Sequence, residues 1–189
     1  MRASPLAVER IEFHNVRVRA NADWQQSDES QLPQLVVDME NASIEWQSSL
    51  SFPETEVEDP RHFVFRFALR LNQNKQIESV KLPYDIELDA LVFLKVEFEL
   101  PDIQTRFKVV RESGYPILFG AIREMVCTLT ARGPHGLWQI PSMNFSDQIK
   151  VDSTEDEKGR LKLLKAKGAN AVKKHAKRPA RRVSTLPSK

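Results

Sequence analysis

The side chains that could do covalent or metal chemistry are few and scattered. The four histidines, His14, His62, His135 and His175, share no spacing that would gather them around one ion. Cys127 is the single cysteine, so it can form no bridge within the chain, and no base lies near it in sequence to activate the thiol. There is no glycine-rich phosphate loop and no Gly-x-Ser-x-Gly elbow. These absences argue against an enzyme, and no cofactor is expected. What stands out instead is apolar bulk. Trp24 stands in a polar segment, and Leu137, Trp138, Ile140, Met143 and Phe145 crowd a stretch broken by Pro134, Gly136 and Pro141. Two prolines and a glycine prevent regular structure over most of that stretch, and an apolar loop must be covered by something.

The charge is divided along the chain. Residues 1–149 hold 15 Lys+Arg against 22 Asp+Glu, a balance of −7, while residues 150–189 hold 13 against 4, a balance of +9. The overall +2 therefore averages an acidic body and a basic appendage. With 189 residues, one domain over 1–152 and a basic, disordered tail over 153–189 are expected. No run approaches the roughly 20 apolar residues of a membrane-spanning helix, and Met1 to Arg10 lacks the apolar core of a signal peptide. Together with the lone cysteine, this suits a cytoplasmic protein that is not inserted in a membrane.

These residues must be positioned by a small set of elements. Alternation of apolar and polar residues predicts strands over 8–20, 35–47, 62–71 and 85–100. In the first, the apolar phase slips at His14-Asn15, as a β-bulge would produce. Consecutive strands without intervening helices imply an antiparallel sheet. Leu118, Ile122, Met125 and Leu129 then recur at helical spacing, which predicts a helix over 116–131 with Pro116 in its first turn and Gly133 just past its end. Residues 134–145 read as an apolar loop, 146–152 as a short helix and 158–168 as a short basic helix. The fold class is thus α+β, a four-stranded antiparallel sheet packed with a long helix and a shorter C-terminal helix, ending in a disordered basic tail.

Several of these segments resemble the SecB export chaperone family. That family's helix carries Leu-Phe-Pro-Tyr-Ala-Arg-Glu, and Leu118-Phe119-Gly120-Ala121-Ile122-Arg123-Glu124 is similar, with Gly120-Ala121 in place of Pro-Tyr. Arg132-Gly133 and Asn144-Phe145 match an Arg-Gly at the helix end and an Asn-Phe after the apolar loop, and Asp23-Trp24-Gln25 matches an Asp-Trp-Gln of the first loop. The resemblance spans residues 8–150 and is that of a divergent member. The segment 101–115 and the long basic tail depart from the family.

The resemblance implies an ATP-independent chaperone that holds unfolded polypeptides, assembled as a homotetramer. Its clients would be export precursors or a dedicated client such as an antitoxin. On this reading Trp24, Leu137, Trp138, Ile140, Met143 and Phe145 bind client, with core packing under a loop as the alternative for the same residues. Leu118, Ile122, Arg123, Glu124, Met125 and Leu129 form the oligomer interface, with burial of the helix on its own sheet and a solvated Arg123-Glu124 pair as the alternatives. Asp85, Glu87, Glu97 and Glu99 form an acidic face toward a basic partner such as the SecA motor, with solubility as the alternative. A separate reading takes the basic run Lys173 to Arg182 as a nucleic-acid contact that is driven by phosphate, since it lacks aromatic residues for stacking.

Overall fold

The computed structural model describes residues 4–24, 43–72, 82–98, 100 and 102–176, with side chains through residue 168. Four strands, β1 (Leu6–Ala20), β2 (Ser43–Ser51), β3 (His62–Asn72) and β4 (Tyr84–Val96), are followed by two helices, α1 (Ile103–Thr130) and α2 (Ser146–Ala176). The strands form one sheet in the order β1-β4-β3-β2, antiparallel throughout. The sheet and its pair of helices are the expected α+β architecture.

Alternation decides which face is which. Phe63, Phe65, Phe67, Leu69 and Leu71 of β3 pair with Leu94, Val92, Ala90, Leu88 and Ile86 of β4, and all ten are buried. This inner face receives α1 through Phe107, Val110, Gly114, Leu118, Ile122 and Val126, at the three- and four-residue spacing of one helix side. The long run expected over 85–100 is a single strand that ends at Val96. In β1 the expected slip falls between Phe13 and Asn15, and a second one lies between Val8 and Arg10. Of the strand expected over 35–47, residues 35–42 lie outside the described residues, and β2 runs on to Ser51.

The helices differ from the sequence reading in extent. α1 begins thirteen residues before Pro116, so that proline is internal rather than in the first turn. The start is set by Asp102, whose carboxylate accepts the Thr105 amide at 2.6 Å and caps the helix. Pro116 is exposed, where its lost hydrogen bond costs least. Gly114 is needed for approach, since a Cβ there would stand 2.7 Å from Cδ1 of Phe65. The two short helices expected over 146–152 and 158–168 are one helix, and α2 continues through Ala176 into the segment read as disordered. Residues 177–189 of the expected tail lie outside the described residues.

α2 shows why its continuity escaped the apolar pattern. Its docked side is Ile149, Asp152, Ser153, Asp156 and Arg160, helically spaced but mostly polar. Buried arginines do the joining. Arg111 of α1 holds Asp152 and Asp156, and Arg160 donates to the Val57 carbonyl at 3.0 Å. Arg106 donates to Asp59 and to the Pro60 carbonyl, fixing the connection between β2 and β3 against α1.

Candidate functional site

The apolar loop after α1 is stitched to the body at every turn. Tyr84 Oη donates to the Gly136 carbonyl at 3.0 Å and accepts the His135 amide at 3.1 Å. Gly133 lies against the Tyr84 ring, so closely that a Cβ would collide with the hydroxyl. Its role is close approach, which differs from the helix-stop role read from sequence. Thr130 Oγ1 accepts the Trp138 amide at 2.9 Å, and Arg123 Nε donates to the Ile140 carbonyl at 2.7 Å. The Cys127 thiol donates to the Trp138 carbonyl at 3.5 Å.

This stitching sorts the six expected client-binding residues. Trp138 is fully buried and stacked on Tyr84 at 6.1 Å, and its indole N–H has no acceptor among the described residues. Ile140 is buried, and Phe145 stacks on Tyr115 at 4.6 Å within an aromatic cluster that includes Trp46, Phe67 and Phe119. In this conformation these three residues are core. Leu137 and Met143 are half-buried. Trp24 is also half-buried, edge-on to His135 at 4.8 Å, while His135 Nε2 bonds the Asn21 carbonyl at 2.9 Å. The first-strand end and the apolar loop therefore meet at Trp24 and His135. Sequence reading treated His135 only as a stray histidine, and nothing in its spacing marks this role.

The α1 residues expected at an oligomer interface divide in the same way. Leu118 and Ile122 are fully buried within the chain, and Arg123 is engaged with the loop. Met125 is half-buried, while Glu124 and Leu129 face outward. A larger apolar surface lies elsewhere. Val8, Ile11, Phe13, Val16 and Val18 of β1 pair with Leu94, Val92, Ala90, Leu88 and Ile86, so they continue the inner face to the sheet's edge. α1 covers this edge only in part: Phe13 and Val18 pack against the core, while among the described residues Val8, Ile11 and Val16 stay 47%, 40% and 40% exposed.

The outer face of the sheet is not predominantly acidic. Asp89 is bidentate with Arg66, and Glu87 pairs with Arg70 at 3.1 Å. Arg17 and Arg19 of β1 stand opposite Glu87 and Asp85, and Asp85 accepts a hydrogen bond from Asn21. A depression of about 450 Å³ on this face is lined by Glu45, Arg66, Arg70, Glu87 and Asp89 among others, so both signs of charge meet there. Glu97 is exposed beyond the end of β4, and Glu99 lies outside the described residues.

One buried polar cluster was not foreseen. Arg111 Nε and Nη2 hold the Asp156 carboxylate at 2.8 and 2.9 Å, and Nη1 reaches Asp152 at 3.1 Å and Ser48 Oγ at 2.9 Å. Tyr115 Oη donates to Asp152 in a short bond, and Ser48 Oγ lies 2.7 Å from the same hydroxyl. Burial pushes the Tyr115 hydroxyl up to about 12, with the neighbouring Asp152 adding to the effect. Burial also raises the Asp156 carboxyl despite the pull of Arg111. Burial works against the Arg111 charge, but its bonds and attraction to Asp156 and Asp152 prevail and hold it above the ordinary arginine value. Every strong donor and acceptor is taken up inside the cluster, so it locks β2, α1 and α2 together.

Among the described residues no group of three or more His, Cys, Asp and Glu is placed to hold a metal ion. No described helix is long and apolar enough to cross a membrane. No known family's sequence profile matches the chain, and no curated protein matches it. Among solved structures, a SecB-like chaperone of Mycobacterium tuberculosis, in complex with a ChAD peptide from the HigA1 antitoxin, aligns with a TM-score of 0.47 and 14% identity. The alignment covers 73% of this chain and 90% of that one. A protein of unknown function from Streptococcus agalactiae aligns with a TM-score of 0.37 and 9% identity, over 74% of this chain and 97% of that one. The likeness is one of chain course alone.

Proposed function

We propose that this chain is a cytosolic, non-catalytic chaperone of the SecB-like kind, which holds unfolded polypeptides without ATP as a homo-oligomer. The observation that carries the reading is the partly covered apolar edge of the sheet's inner face, where Val8, Ile11 and Val16 of β1 are exposed. Three exposed apolar side chains in one row on an edge strand suit a contact face. That face supports the assembly, and the motif resemblance at Asp23-Trp24-Gln25, Leu118 to Glu124 and Asn144-Phe145 supports chaperone work, with clients held on the side of Trp24 and the loop after α1. In the assembly, proposed to be a tetramer, the β1 edge and the outward Glu124, Met125 and Leu129 of α1 meet other copies. Trp24, Leu137 and Met143, the half-buried members of the client set, are the residues that touch client on this reading, and Trp138, Ile140 and Phe145 join them only if the loop loosens. Export precursors and a dedicated client such as an antitoxin are both compatible with a surface that reads shape and apolarity.

The test is to dilute a chemically denatured, aggregation-prone protein into buffer containing this chain and no nucleotide, and to follow light scattering. Suppressed scattering, partly lost in Trp24→Ala, is expected. Unchanged aggregation at equimolar assembly sinks the reading.

A further inference from the structure

The basic appendage is not simply a loose tail, because its first half belongs to a helix fastened to the body. Residues 158–189 hold eight Lys and four Arg and no Asp or Glu. α2 carries the first part of this run, and the Arg111 bridges to Asp152 and Asp156, together with Arg160 on Val57, fix the preceding turns. Lys167 Nζ donates to the Glu54 carbonyl, so the anchorage reaches well into the basic half. On the opposite side Lys158, Lys162 and Lys165 are exposed. Their spacing of four and three places them on one helix face, rising about 6 Å and then about 4.5 Å along the axis. None of the three has an acidic partner among the described residues. Like charges so placed repel one another, and a polyanion relieves that repulsion.

We propose that this lysine face of α2 is a docking rail for the phosphate backbone of nucleic acid. The charge pattern separates this partner from a lipid surface. Membrane-surface helices need one continuous apolar face, whereas the exposed Leu161 and Leu163 lie on opposite flanks of the lysine row and Leu164 is half-buried toward the body. No aromatic residue lies in 158–189, so bases are not stacked and binding ignores sequence. A rail held by buried arginines loses less freedom on binding than a disordered arm does. The inference is independent of client holding, and the lysine variants below are expected to hold clients as the parent does.

Fluorescence anisotropy with labelled single-stranded RNA and duplex DNA oligonucleotides, using the full chain between about 50 and 200 mM salt, tests it. Affinity is expected to fall steeply with salt. The triple variant K158E/K162E/K165E is expected to bind at least about tenfold more weakly, and its log–log salt slope on single strands is expected to be shallower by about 2. Its circular dichroism melt should match the parent, and K158Q/K162Q/K165Q should show a smaller loss in the same direction. Four outcomes overturn the proposal: salt-independent binding, parent-like affinity in the triple variant, complete loss on deleting 177–189 alone, or equal binding of the parent to polyglutamate or phosphatidylserine vesicles.

Discussion

Arg111 is the residue on which the body depends most. It is buried with two carboxylates, and each is placed by a different turn of α2. Removing one partner from a buried ion pair leaves charge stranded in a poorly solvating interior. Arg111→Ala is therefore expected to lower unfolding stability by about 3–5 kcal/mol. Asp156→Asn should cost much less, because it keeps an acceptor for the guanidinium and removes a carboxylate that burial already pushes toward its neutral form. Urea unfolding of the two variants checks this, and equal losses contradict it. Tyr115 gives a pH signature to the same cluster. Its folded value of about 12 lies above the ordinary value of 10, so the folded state keeps the proton that the unfolded state releases. The stability it contributes is whole below about pH 10 and is lost as pH rises to about 12. Alkaline denaturation should be shallower over that interval in Tyr115→Phe, and an unchanged profile excludes Tyr115 as its source.

At the scale of elements, the sequence made plain what obeys a simple period and hid what does not. β3 was legible because large apolar residues hold every second position from Phe63 to Leu71, and the bulge in β1 was legible as a change of phase. The first half of α1 was missed because Pro116 read as the first turn of a helix, whereas it lies inside one, two residues after the Gly114 that admits the Phe65 ring. α2 was broken in two because its docked stripe is made of carboxylates and an arginine, which an apolar period cannot detect. The candidate site fared similarly. Burial of Trp138 and Phe145 follows from contacts with Tyr84 and Tyr115, distant in sequence, so their residue types alone left core and groove undecided. The loop bearing them hangs on Arg123. Hydrogen exchange should show faster exchange across 134–145 in Arg123→Ala than in the parent, and parent-like protection shows that the other ties suffice.

As a whole the molecule is a sheet with one face covered by helices, one face of mixed charge, and an apolar edge covered only in part. That edge is expected to close against further copies. Light scattering coupled to size exclusion should give a mass several times that of the 21.7 kDa chain, and Val8→Glu, Ile11→Glu and Val16→Glu together should reduce it. A monomeric parent leaves the edge unexplained by assembly. The whole-molecule claim is that such a body, without nucleotide or cofactor, keeps other chains unfolded. Refolding of a reduced, slow-folding protein in the presence of stoichiometric assembly tests this most directly. Refolding is predicted to be delayed, and less so with Trp24→Ala. A refolding rate unaffected by the parent chain contradicts the account.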